Sequence, residues 1–152
     1  MKYIKEHHAY EKCIFCLPAD GEDGVENLVF YRSDHVYMIL NRYPYTSGHI
    51  MCVPFAHEDR LHQLTRLARA EMMDCTSKAV EILQKVYEPD GFNVGLNLGE
   101  MAGAGVADHL HMHIVPRWSG DTNFMSAVGN TRVLPESLDE PYRRIKGAWD
   151  EV

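Results

Sequence analysis

His109-Leu110-His111-Met112-His113-Ile114-Val115 is the stretch on which the reading of this chain turns. Side chains alternate between faces along a strand. A strand here therefore puts His109, His111 and His113 on one face and Leu110, Met112 and Ile114 on the other. The apolar set faces a core. Three imidazoles on the opposite face crowd titratable groups together and call for a chemical reason. Two reasons are open. Three histidines can share one metal ion, as in zinc sites. Alternatively, one imidazole is a nucleophile while its neighbours orient it and neutralise a phosphate. The run just upstream, GEMAGAGVAD (99–108), favours the second, because Gly103 and Gly105 let backbone N–H groups approach an anion closely.

Working outward, GFNVGLNLG (91–99) reads as the strand before this loop, and HLHMHIVPRW (109–118) as the strand after it. NLVFYRS (27–33) and HVYMILN (35–41) read as two strands joined tightly at Ser33 and Asp34. YPYTSGH (43–49) is turn chemistry, and HIMCVP (49–54) is a further strand stopped by Pro54. From Thr65 to Tyr87 the period lengthens. Leu64, Leu67, Ala68, Met72, Cys75, Ala79, Ile82, Leu83 and Val86 recur at three- and four-residue steps, which is a core-facing helical stripe ended by Pro89 and Gly91. A polar turn at 119–123 and a terminal helix from Pro135 to Trp149 complete the reading. With five strands and one long helix, the expectation is an α+β fold with a mainly antiparallel sheet.

The chain has 152 residues with 45% apolar content, enough for one domain with a real core and no linker dividing it. The expected organisation is a single unit over 1–152: an N-terminal segment 1–24, a core 25–125 and a tail 126–152. The formal charge of −7 argues against a general nucleic-acid binder, which carries a basic stripe, but not against a small phosphorylated ligand. No apolar run approaches the roughly 20 residues of a membrane span. MKYIKEHHAY lacks the apolar stretch of a signal peptide, so a cytoplasmic protein is expected. Of four cysteines, Cys52 and Cys75 sit among apolar residues and read as small buried hydrophobes. Cys13 and Cys16 form a CxxC. Leu17, Pro18 and an acidic, glycine-containing stretch follow, which does not suit a redox motif opening a helix. Zinc needs two further ligands, and spacing alone does not choose them among nine histidines.

HLHMHIV (109–115), GHIMCVPFAH (48–57), LNRYP (40–44) and NLGEMAGAGVADH (97–109) together resemble the histidine-triad (HIT) family over residues 10 to 125. HLHMHIVPRWSGDTNFM is similar to the branch holding diadenosine polyphosphate hydrolases and bacterial diadenosine tetraphosphate phosphorylases. The resemblance implies a five-stranded antiparallel sheet per subunit and a homodimer joining two sheets. It implies a nucleotidyl hydrolase or transferase acting on dinucleoside polyphosphates or related purine nucleotides. Phosphate-dependent phosphorolysis is the alternative to hydrolysis. His111 becomes the nucleophile on the α-phosphorus, His113 a phosphate contact that helps stabilise the transition state, and Asn97 a polar contact on the phosphate side. Asn41 becomes a ribose-hydroxyl ligand and Ile39 a flank of the base, while Gly105 and Val106 offer loop N–H groups to the phosphates. The resemblance also implies a structural zinc on Cys13, Cys16, His57 and His109, and no organic cofactor. The chain departs from several relatives in one respect. Gly103-Ala104-Gly105-Val106-Ala107 carries no hydroxyl, so a role for one in leaving-group protonation does not transfer. A metal-dependent hydrolase using all three histidines and a non-catalytic nucleotide binder are the rival readings.

Overall fold

Two runs of five consecutive buried residues mark the centre of the sheet: β2 (Val36–Leu40) and β3 (Ile50–Pro54). Such short, unbroken apolar runs suit strands covered on both faces. The computed structural model describes residues 13–121 and 137–152. Around the central pair lie β1 (Val29–Arg32), β4 (Gly91–Leu96) and β5 (Met112–Arg117), in the order β1-β2-β3-β5-β4. Every pairing is antiparallel, which is the α+β class expected. The register sets Met51 opposite His113 and Cys52 opposite Met112 across β3 and β5.

One face of the sheet is covered by two helices. α1 (Arg66–Tyr87) starts where Thr65 Oγ1 accepts the Ala68 N–H at 3.1 Å, satisfying one of the free donors of the first turn. It ends at Glu88, whose backbone is left-handed with φ 46°. Ala68, Met72, Cys75, Thr76, Ala79, Ile82 and Leu83 form its buried stripe. Leu67, expected in that stripe, is 66% exposed, because it lies one step of about 100° round the helix from Ala68. Thr76 Oγ1 donates to Met72 O at 2.7 Å and approaches Met112 Sδ at 3.2 Å, so the even-numbered face of β5 meets the helix layer. α2 (Asp139–Asp150) packs on α1 and β1. Tyr142 Oη donates to Val29 O at 2.9 Å, and the Trp149 ring packs on Phe30 and Tyr31. Cys52 and Cys75 are buried, as expected.

The element boundaries differ from expectation at both ends of the glycine-rich loop. The paired part of β5 begins at Met112, not His109, because the Leu110 N–H bonds Glu58 O rather than a neighbouring strand. β4 stops at Leu96, and the chain turns at Gly99 (φ 83°) into a single 3₁₀ turn, Glu100–Ala102. The expected turn after β5 closes with the Asp121 N–H on Trp118 O at 3.1 Å; its last residues, and the expected helix start at Pro135, lie outside the described residues. So does the opening stretch, 1–12. Before β3, Gly48 sits at φ 76°, and a Cβ there would fall 2.9 Å from the Tyr87 ring. Only glycine fits both demands, and this turn delivers His49 to the sheet. Among the described residues no helix is long and apolar enough to cross a membrane.

Candidate active site

The face of the sheet away from the helices opens into a cleft of about 690 Å³. Ile39 and Asn41 bound it at the end of β2, and His111 and His113 at the start of β5. Gly103, Gly105 and Val106 form a third wall, and Ile14 and Phe15 close it from the N-terminal side. Tyr43 and Tyr45 stand at its mouth, each more than half exposed. Phe15 is buried with its ring centroid 4.8 Å from that of His111.

Hydrogen bonds to groups that can only accept fix which ring nitrogens carry protons. His111 Nδ1 lies 2.9 Å from His109 O. A carbonyl accepts, so Nδ1 is the N–H nitrogen, and neutral His111 keeps its lone pair on Nε2. Burial pushes the His111 pKa down, opposed by the bond to His109 O. The second chain of bonds starts at Tyr45, whose N–H donates to His49 Nδ1 at 3.1 Å. Neutral His49 then carries its proton on Nε2, which is 2.9 Å from His113 Nδ1. His113 Nδ1 accepts, so its own proton sits on Nε2. The His113 pKa falls to about 4, first through burial and then through His111 beside it. The two neutral imidazoles therefore offer the cleft different things: His111 a lone pair and His113 a donor. The Asn41 amide nitrogen lies 3.4 Å from His49 Nδ1, the accepting nitrogen, and its oxygen accepts the Tyr43 N–H at 2.9 Å.

His109 belongs to another group. Its Nε2 donates to Pro54 O at 2.9 Å, which leaves Nδ1 as the lone-pair nitrogen. Nδ1 lies 3.4 Å from Cys13 Sγ and 3.6 Å from Cys16 Sγ, and Cys16 Sγ lies 3.2 Å from His57 Nδ1. The ligand atoms of Cys13, Cys16, His57 and His109 all fall within 4.8 Å of one another. A tetrahedral zinc with Zn–S of about 2.3 Å and Zn–N of about 2.0 Å separates sulfur from nitrogen by about 3.5 Å. The residues therefore fit a metal of this kind. Both imidazoles present Nδ1; His109 Nε2 is held on Pro54 O, an outer partner of the kind that orients ligating histidines, while His57 Nε2 faces Asp108 Oδ2 at 3.8 Å, beyond hydrogen-bond reach.

Ile39, Asn41, Gly105, Val106, His111 and His113 thus come together in one cleft, while Cys13, Cys16, His57 and His109 come together beside it. The three histidines do not converge on a common point, since His109 turns its lone pair to the cysteines. Asn97 lies just past β4, and its amide nitrogen donates at 3.4 Å to the carbonyl of Gly103, a residue of the third wall. Sequence reasoning missed His49 and Phe15. His49 sits in the Gly48-His49 pair that opens β3, but only the strand register reveals its partner. Phe15 is hidden inside the CxxC.

The HIT domain model matches residues 23–120. The chain is 47% identical over 124 residues to the AP-4-A phosphorylase of Mycobacterium tuberculosis, covering 82% of this chain and 64% of that protein. It therefore spans under two thirds of the length of that relative. It is 31% identical over 97 residues to the asymmetrical bis(5'-nucleosyl)-tetraphosphatase of Schizosaccharomyces pombe, covering 64% of this chain and 53% of that one. Among solved structures, a zinc-bound histidine triad family protein from Mycobacterium smegmatis superposes with a TM-score of 0.75 at 26% identity, covering 93% of this chain and 96% of that one.

Proposed function

Because the chain belongs to the HIT domain family, we propose that it is an enzyme that cleaves the phosphoanhydride of dinucleoside polyphosphates through a nucleotidyl-His111 intermediate. The observation that carries this reading is the bond from His111 Nδ1 to His109 O, which holds the imidazole with its Nε2 lone pair available at neutral pH. Nε2 attacks the α-phosphorus in line, and the P–O bond to the polyphosphate leaving group breaks. Positive charge appears on the imidazole and is stabilised by the carbonyl on Nδ1. His113 Nε2–H bonds a non-bridging oxygen, where charge accumulates. Backbone N–H groups at Gly105 and Val106 assist, and Asn97, beside Gly103, contacts the phosphate side of the substrate. Asn41 pairs with a ribose hydroxyl, and Ile39 flanks a purine base. Water or inorganic phosphate then attacks the same phosphorus from the face opposite His111 and releases the imidazole.

The 47% identity to a protein named as a phosphorylase favours inorganic phosphate as acceptor, and the 31% identity to one named as a tetraphosphatase favours water. Turnover of diadenosine tetraphosphate with and without phosphate separates them. ADP plus ATP, formed only with phosphate, marks phosphorolysis. AMP plus ATP marks hydrolysis through the same intermediate, whereas two ADP would place the cleavage at a β-phosphorus and contradict attack by His111 on the α-phosphorus. No turnover under either condition would overturn the enzyme reading.

Cys13, Cys16, His57 and His109 would hold a structural zinc, whose closed ligand set leaves no position for substrate and supplies rigidity rather than chemistry. No organic cofactor is invoked. The whole chain, 1–152, is read as one domain that forms a homodimer through the edge of β4, which among the described residues pairs only with β5 and where Val94 is 45% exposed. The compartment is the cytoplasm, where the thiols of Cys13 and Cys16 stay reduced for the metal.

A further inference from the structure

Ile14 and Phe15 are the two residues between Cys13 and Cys16, and both line the cleft. The same four residues thus serve two sites: their ends are metal-ligand candidates and their middle is a wall. Among the described residues, the segment has no strand pairing to the sheet. Its backbone bonds are local turns, from the N–H of Cys16 to Cys13 O at 3.1 Å and from the N–H of Gly21 to Pro18 O at 3.4 Å. What ties it to the body are side chains. Cys13 and Cys16 reach His109 and His57, Tyr37 Oη donates to Phe15 O at 2.6 Å, and Arg32 Nη2 donates to Pro18 O at 2.6 Å. Phe15 converts that anchoring into cleft geometry. Its ring lies 5.7 Å from that of His109 and 4.8 Å from that of His111.

We propose that Cys13 and Cys16, by joining a metal to His57 and His109, set the position of the Ile14–Phe15 wall and thereby the affinity of the cleft for a nucleoside monophosphate. Phe15 is the positioning residue that transmits the effect to His111. The proposal rests on the nucleotide reading above. Linkage makes the effect reciprocal: a nucleotide in the cleft strengthens metal binding by the same factor.

The test measures AMP binding, not turnover, by calorimetry on metal-loaded and chelated protein, for wild type and Phe15→Ala. Far-UV circular dichroism and metal content are followed in parallel. Loss of one well-packed aromatic wall corresponds to about tenfold in affinity. Metal removal should weaken AMP about tenfold in wild type and less than about threefold in Phe15→Ala, because the variant has already lost the wall that the metal positions. Equal losses in both proteins, or no loss in wild type, would overturn the coupling. Loaded wild type that binds no AMP would overturn the nucleotide reading itself and the coupling with it. If chelation unfolds the chain, Co²⁺-substituted protein decides. Its visible absorption, which reads ligand geometry, should shift when AMP is added to wild type and stay unchanged in Phe15→Ala. An unchanged wild-type spectrum would refute the proposal.

Discussion

His49 is the residue whose removal separates a working bond from mere packing. It is 2% exposed, accepts the Tyr45 N–H on Nδ1 and faces His113 Nδ1 from Nε2 at 2.9 Å. His49→Phe keeps a planar ring of similar size but can neither accept nor donate. Two groups then lose their partner, the Tyr45 N–H and His113 Nδ1, at roughly 1–3 kcal/mol of stability in total, since the half-buried His113 regains some water. For a chain of this size that is about 3–10 °C in Tm. The catalytic effect follows from what the bond does. Removing a donor aimed at developing charge outright lowers kcat by about 10²–10³. Here the donor, His113 Nε2–H, survives but is no longer fixed in tautomer or orientation, so kcat should fall by about 10- to 100-fold, the range seen when an outer partner is lost. KM should change by no more than a few-fold, because His49 lies behind the cleft wall. His49→Gln retains an amide N–H that can reach His113 and should recover part of kcat. The assay is single-turnover and steady-state cleavage of diadenosine tetraphosphate, with Tm from calorimetry on the same samples. A His49→Phe enzyme with lowered Tm but kcat within about threefold of wild type would refute the reasoning and leave His49 as filler.

Zinc content should be about one per subunit in gently purified wild type. It should fall in Cys13→Ser together with Tm, and folded, stable wild type without metal would sink the assignment. Asn41→Ala should weaken ribonucleotides more than their 2'- or 3'-deoxy counterparts, and equal losses on both sugars would remove Asn41 from the ribose. The depressed His113 pKa has a consequence for stability with a definite sign. The unfolded chain binds a proton on this residue below the ordinary value of about 6.5, whereas the folded chain does so only near 4. This contribution to stability is therefore full above about pH 6.5 and is lost as pH falls towards 4. Wild type should lose more Tm than His113→Asn between pH 7 and pH 5. Parallel losses would show that His113 titrates normally.

The strand and helix periodicities were legible because the signals are local: the apolar runs of β2 and β3 and the stripe of α1 can each be read within one element. The reacting pair and half of the metal cluster were legible for a different reason: His111 and His113 share a strand with the glycine loop just before it, and Cys13 and Cys16 are neighbours in sequence, whereas His57 and His109 as their partners came only from the family resemblance. Partnerships set by register were not legible. His49 and His113 lie 64 positions apart and meet only because β3 pairs with β5 so that Met51 faces His113. Phe15 stands between the two cysteines of the CxxC, and nothing local reveals that its ring leans on His111. The partner of Asn97 was not legible for a similar reason: β4 ends at Leu96, and the turn beyond it brings the Asn97 amide to Gly103 O.

The central claim is that His111 carries the nucleotide during turnover. Wild-type protein is mixed with a dinucleoside polyphosphate labelled on its α-phosphate, quenched without acid, and the modified peptide is mapped. The account requires label on His111 as an acid-labile, base-stable phosphoramidate. His113→Asn should form it more slowly, and folded His111→Asn should carry none while losing at least about 10³ in turnover. Label on any other residue, or near-normal turnover by His111→Asn, would contradict the account.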